Sequence, residues 1–298
     1  MQSSPSVISL PQLIRIRATG ADRAKFLHNF CTNNINDLSA GNWCEAFFVN
    51  VKARILAHGF VLAAEDHHEV WLLPGDEEQL LNHLNRYVIT EDVEFESLTA
   101  ECGAIAVLGT IPDSLAVAVQ PQIGHWADLA NADVRSLSCQ WDGRLVSLMS
   151  GPPRSVDSLH SAIIKFANPG KLSDFERLRI QERFPLIGHD LSDNHLAPEA
   201  ARDASTICYT KGCYLGQEPI ARIDARGQVN RIFAAVELET ESPDSETAIQ
   251  LTSFDAAHSP AVGLAVLRAD SVRSGSAIVR TPAGQVFSAT ILQPKSND

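Results

Sequence analysis

Cys213 is the residue around which chemistry could be organised in this chain. It lies in YTKGCYLGQEPIAR, residues 209–222, where Gly212 and Gly216 bracket Cys213, Tyr214 and Leu215. Glycine lets a backbone approach a ligand closely or turn through positive φ. Lys211 stands two residues before the thiol, and a nearby ammonium lowers a thiol pKa and favours the reactive thiolate. Gln217 and Glu218 set an amide beside a carboxylate, a pair able to read a ring edge that carries both donors and acceptors, as a pterin does. Between 211 and 231, Lys211, Arg222, Arg226 and Arg231 stand against Glu218 and Asp224, a local surplus of positive charge suited to an anionic small molecule. On residue types alone, a structural turn with surface charges is the competing reading, and a single cysteine more often packs as a small hydrophobe.

Other chemistries find little support. There is no G-x-G-x-x-G, P-loop, H-E-x-x-H or G-x-S-x-G. The adjacent His67 and His68 fall in an expected hairpin turn and read as a solvated pair rather than metal ligands. Of Cys31, Cys44, Cys102, Cys139, Cys208 and Cys213, only the last two are close in sequence. A cluster held by four thiolates is therefore not expected, and no metal site is assigned. A net charge of -12 repels phosphate backbones and argues against bulk nucleic-acid or anionic-membrane binding. Without CxxC pairs, a secretory leader or a long apolar run, the expectation is a cytoplasmic protein with reduced thiols and no membrane partner.

These residues need a scaffold, and 298 residues allow two or three domains. Residues 13–18 alternate as a strand, and 21–30 carry apolar residues at helical spacing. Strands are expected over 43–50, 55–64, 69–73 and 92–98, with a helix from the Gly75-Asp76 start to Val88. This β-β-α-β grammar is that of a ferredoxin-like fragment. A second unit of strand 103–109, a hairpin across Asp142-Gly143 and helix 155–167 follows. After the break at 168–170, a helix begins with Ser173 and Glu176 in capping-box spacing and stops at Pro185. Residues 186–230 read as polar loop, and the rest as a small all-β domain.

The stretch Lys211-Gly212-Cys213-Tyr214-x-Gly216-Gln217-Glu218, followed by Arg222, resembles the K-G-C-[FY]-x-G-Q-E-x-x-x-R signature of the YgfZ family. That family comprises folate-binding proteins related to the glycine-cleavage T-protein, an aminomethyltransferase. FLHNFCTNNINDL (26–38), FFVNVKARILAHGFVL (47–62), RLRIQERFPLIGHDL (177–191) and Pro198-Glu199-Ala200 resemble further family segments. Two departures stand out. Lys52-Ala53-Arg54 occupies the place of K-G-R, and Glu182-Arg183 stands where R-I-x-x-G has its glycine.

The resemblance implies an α+β, three-lobed T-protein-like fold around a folate pocket. Its first lobe would combine residues 1–45 and 165–230, with a ferredoxin-like middle over 46–164 and a β-barrel over 231–298. It implies tetrahydrofolate as ligand and a role supporting synthesis or repair of iron–sulfur enzymes, including those that methylthiolate tRNA. The partners would be assembly factors or client enzymes. Cys213 would be the functional thiol, with Lys211, Tyr214, Gln217, Glu218, Arg222, Asn50, Lys52 and Arg54 lining the folate site. The alternative is a true folate-dependent aminomethyltransferase. No Asp lies between Glu45 and Glu65, where the T-proteins keep one at the strand turn occupied here by Asn50-Val51-Lys52, so the resemblance favours an accessory protein over a classical transferase.

Overall fold

The computed structural model describes residues 4–111, 120–129, 133–227 and 229–293. Two strands from the start of the chain enter different sheets. β1 (Ser6–Leu10) precedes β2 (Ile14–Thr19), α1 (Arg23–Phe30), β3 (Trp43–Val49), β4 (Ile55–Ala63), β5 (His68–Leu72), α2 (Glu77–Asn85) and β6 (Glu94–Ser97). The antiparallel order β3-β4-β5-β2-β6 forms the first sheet. Phe26 and Leu27 of α1 and Leu80 and Leu84 of α2 cover one face, packing with Ile16, Val61, Val70 and Leu72. Phe60, Leu62 and Trp71 turn the other face to a second sheet. A strand covered on both sides has no polar face to write, which is why ILAHGFVLA is almost continuously apolar. Asp76 caps α2 through its side chain, accepting from Gln79 N at 2.8 Å, as the Gly75-Asp76 start suggested.

The second sheet runs β11-β1-β7-β10-β9-β8, with β7 (Gly103–Leu108), β8 (Trp126–Leu129), β9 (Val134–Trp141), β10 (Arg144–Gly151) and the two-residue β11 (Asn168–Pro169). Its hairpin turns across Asp142 and Gly143 with φ of 47 and 77, the doubly positive pair that such two-residue turns require. α3 (Pro153–Ile163) buries Val156 and Ile163 on this sheet's outer face. The expected boundary at 45/46 falls inside β3, and strands of the 46–164 range divide between the two sheets.

α4 (Leu172–Glu182) starts as expected but caps differently. Asp174 reaches back to accept from Lys171 N at 2.9 Å, while Glu176 pairs with Arg179. The reason is register: the helix begins at Leu172, so Ser173 is already inside it. The 186–230 range is not all loop. It holds α5 (Asp203–Thr206) and α6 (Gln217–Arg226), bracketed by Gly216 and Gly227 in left-handed conformation.

The tail contains β12 (Arg231–Glu241), β13 (Ile249–Gln250), β14 (Ser253–Asp255), β15 (Val262–Arg268), α7 (Ala269–Ser274), β16 (Ser276–Arg280) and β17 (Val286–Ile291). The order β13-β16-β17-β12-β15-β14 places at its two edges strands separated by only Leu251 and Thr252. Leu251 N bonds Arg280 O and Thr252 N bonds Leu264 O, so the sheet closes on itself as a barrel. A core of Phe47, Ile55, Ile180, Leu191, Ile207, Ile220, Phe233 and Leu264 joins the first sheet, the 186–230 range and the barrel.

Candidate functional site

The signature is held by the chain end of α1. Cys208 N donates to Thr32 O at 3.0 Å and Leu215 N to Asn29 O at 2.8 Å, so both ends of the loop hang on one short stretch. The Lys211 ammonium donates to the carbonyls of His28 (2.6 Å), Cys31 (2.9 Å) and Asn33 (2.6 Å) and lies 4.7 Å from the Tyr214 ring centroid. Thr32 completes the stitching: its hydroxyl donates to Thr206 O at 2.6 Å and accepts from Phe47 N at 3.0 Å. Gly216, at φ +80, carries the chain into α6, and a Cβ there would sit 2.5 Å from Asn50 O. Gln217 Oε1 then accepts from Tyr214 N at 2.8 Å, closing the turn over the helix start.

Against this turn lies an open cleft of about 510 Å³, lined by Asn29, Phe30, Val51, Tyr87 and residues 213–219. The structure thus brings Cys213, Tyr214, Gln217 and Glu218 together at one cavity, with Cys213 exposed. The other expected residues sit elsewhere. Lys211 is spent on three carbonyls, because helix α1 ends there with acceptors that need donors. Arg222 is exposed on α6, outside the cleft wall, and Arg231 is paired with Glu199 at 3.1 Å, so the local positive surplus is dispersed rather than focused. Asn50 is a turn former: its Oδ1 accepts from Lys52 N (2.9 Å) and Arg54 N (3.2 Å). Lys52 is exposed, and the Arg54 guanidinium donates to Asn194 O. Of this turn only Val51 reaches the cleft.

The thiols separate by environment. The Cys31 thiol is pushed up by burial, which outweighs the Lys211 charge. Cys44 is raised in the same way. At Cys208 burial acts in the same direction but loses. The Thr210 hydroxyl, 3.6 Å from its sulfur, backbone N–H groups of Thr210 and Lys211, and the Lys211 charge hold this thiol below its ordinary range. The Lys211 charge, expected beside Cys213, is here one of several groups that lower Cys208. His68 also differs from expectation: it is 4 % exposed, at the start of β5, and burial followed by the Arg23 charge lowers it to about 4. His67 takes the outer position, bonding Asp66 at 2.7 Å.

Asn29, Phe30 and Tyr87 were not anticipated as cleft residues. Phe30 stands within the helix that resembled a family segment, and its ring lies 4.9 Å from that of Tyr87. Nothing in local spacing links α1 to the end of α2; only the sheet between them does.

This fold and loop define a T-protein-like chain carrying a thiol signature. The chain superposes on the glycine cleavage system aminomethyltransferase T from Bartonella henselae with a TM-score of 0.79, covering 98% of this chain and 86% of that one at 14% identity. It is 26% identical over 309 residues to the mitochondrial iron–sulfur cluster assembly factor IBA57 of Mus musculus, spanning 95% of this chain and 82% of the mouse protein. It is 24% identical over 245 residues to the tRNA-modifying protein YgfZ of Colwellia psychrerythraea, spanning 80% and 73%. A chloroplastic Arabidopsis thaliana protein matches at 27% over 258 residues, where the chain spans 58% of that protein's length. No protein-family model matches the chain. The chain is related over most of its length to proteins named YgfZ and IBA57, the relationship to which the K-G-C-Y-x-G-Q-E stretch pointed. No helix among the described residues is long and apolar enough to cross a membrane.

Proposed function

We propose that this protein binds tetrahydrofolate and serves as an accessory factor in the synthesis or repair of iron–sulfur enzymes, including those that methylthiolate tRNA. The observation that carries the reading is the convergence of Cys213, Tyr214, Gln217 and Glu218 on one cleft, in a chain related to an iron–sulfur assembly factor and to a tRNA-modifying protein. The cleft fits a pterin. Phe30, Tyr87 and Tyr214 offer aromatic faces, and Gln217, whose carbonyl is used internally, keeps its amide N–H groups as donors beside the Glu218 carboxylate. Folate would supply a one-carbon carrier there, while the protein's own part is to stack the ring and hold it near the Cys213 thiol. Its partners would be assembly factors or client enzymes, and free thiols at all six cysteines are compatible with a cytoplasmic setting.

The transferase reading is less well supported. Acid–base catalysis at the folate nitrogens wants a carboxylate; at the turn beside the cleft stands Asn50, whose Oδ1 accepts from two backbone N–H groups, which leaves Glu218 as the carboxylate lining the cleft. Titration with tetrahydrofolate should give saturable heat and a thermal shift, and Tyr214→Ala should weaken both; an absence of heat and shift would sink the folate assignment. In a strain lacking the homologous function, Cys213→Ser should fold and bind folate yet fail to restore iron–sulfur enzyme activity under oxidative stress. Folate-dependent release of ammonia from an aminomethyl donor would decide for the transferase.

A further inference from the structure

Basic residues that the cleft does not use meet elsewhere, where the 50–54 turn is laced to the 194–197 segment. Ile55 N donates to His195 O at 3.0 Å and Ala197 N to Ala53 O at 3.2 Å, with a β-bridge between Arg54 and Leu196. On this backbone the Arg54 guanidinium and Arg231 Nη2 donate to one and the same oxygen, Asn194 O, the second at 3.0 Å. Two guanidiniums therefore stand against each other. A third joins them, because Arg268 of β15 lies directly opposite Arg231 of β12 in their antiparallel register. Residues so opposed share one face of a sheet, where like charges repel.

Negative charge is short at this place. Glu199 accepts from Arg231 Nε and Nη2, each at 3.1 Å, and from Leu196 N at 2.9 Å. Among the described residues neither Arg54 nor Arg268 has a carboxylate partner, and the exposed Asp193 bonds none of the three arginines. A further donor is His195. Its Nδ1 accepts from Ser192 N at 3.1 Å, which leaves the ring proton on Nε2. Burial and then the Arg231 charge lower this histidine, and Arg54 adds to the effect, so the ring is within reach of both charges. Arg54 and His195 are half-buried, while Arg231 and Arg268 are exposed, which leaves the place open to a ligand from solvent.

We propose that Arg54, Arg231, Arg268 and the His195 Nε2–H form a binding site for a phosphate dianion, free or as a monoester. Planar guanidinium forks match phosphoryl oxygens in geometry, and their hydrogen bonds to an anion are of the strong, charge-assisted kind. Three arginines less one glutamate leave a surplus of two charges, which a phosphate monoester at about -1.5 to -2 neutralises and a single carboxylate would not. None of these residues lines the cleft of Cys213, so the site does not rest on the folate reading.

The test is a titration of the full chain with inorganic phosphate, at constant ionic strength set with chloride. Proton NMR follows the His195 ring resonance, identified by its absence in His195→Gln. The expected result is a saturable shift that chloride alone does not produce. Arg54→Gln leaves the Arg231–Glu199 pair in place and should weaken phosphate binding about tenfold or more, as should Arg268→Gln. Arg54→Lys keeps the charge without the fork and should fall between. Far-UV circular dichroism confirms that each variant folds. A 5′-mononucleotide that binds more tightly than phosphate makes the ligand an ester, and one that binds no better makes it the free ion. No saturable shift with either, or unchanged affinity in both glutamine variants, overturns the site.

Discussion

Among the described non-glycine residues with positive φ are Ala53 at φ 60 and Arg183 at φ 57. They are the positions where the sequence departs from the K-G-R and R-I-x-x-G patterns, so the left-handed turns persist although their glycines do not. Ala53 is kept there by Asn50, whose O accepts from Ala53 N at 2.9 Å, and by burial of its methyl. Arg183 ends α4 with less in its favour, since burial and the Arg202 charge both disfavour its own. Arg183→Gly should therefore raise stability by about 0.5–1 kcal/mol, read as a higher urea midpoint at unchanged slope. A lower midpoint would show that the arginine side chain contributes more than its backbone costs. Lys211 belongs to the same scale: spacing set it beside Cys213, whereas its ammonium is taken up by the carbonyls of His28, Cys31 and Asn33, because that is where the loop is pinned.

Helix α6 shows how an element can hide in a motif. Its start, Gln217-Glu218-Pro219, reads as ligand-facing polarity, yet glycines at both ends and a proline in the first turn are ordinary helix punctuation. The binding-like residues masked that signal. The helix is set against the Asn50 turn by Gly216, where a Cβ would meet Asn50 O at 2.5 Å and Val49 Cγ2 at 3.0 Å at a φ of +80. Gly216→Ala should cost about 2 kcal/mol or more and, by moving Gln217 and Glu218 away from Tyr214, weaken folate binding more than global unfolding explains. Calorimetric titration below the variant's melting range separates the two effects; unaltered affinity would detach α6 from the proposed folate site.

At the scale of the molecule, buried charges tie elements that are distant in sequence. Glu45 of β3 accepts from Arg202 Nε and His58 Nε2, each at 2.6 Å. Burial alone would raise it, but the Arg202 charge and bonds from both partners prevail and hold it at about 2. Glu69 of β5 bonds Arg15, Trp71 and Arg135, and despite burial it too is held at about 2. Both carboxylates are depressed, so their contribution is complete above the unfolded value of about 4.3 and is lost as pH falls toward 2. His68, lowered to about 4, makes the unfolded chain the better proton acceptor from about pH 6.5 downward. The unfolding free energy should thus decline gently below pH 6.5 and more steeply between 4.5 and 2, each group adding up to about 1.4 kcal/mol per pH unit. Urea denaturation across pH 2–8 checks this, and stability that rises on acidification from 7 to 5 would contradict it.

Local chemistry was legible wherever it is encoded by neighbours. Alternation placed β2 and the tail strands, Asp142-Gly143 declared its turn, Asp76 its cap, and the signature its kinship, because each depends on residues a few positions apart. The all-β tail, too, was legible in strands at short intervals, while its closure into a barrel was implied by the resemblance alone. What the linear order could not carry was pairing across distance: β1 and β2 parting into separate sheets, Phe30 meeting Tyr87, and His68 buried rather than solvated. The site divides in the same way. Residue types marked Cys213 and its neighbours, whereas only the packing of α1 against the 208–215 loop decided that Lys211 would satisfy three carbonyls and bias Cys208, since a charge acts on whatever the fold brings near it.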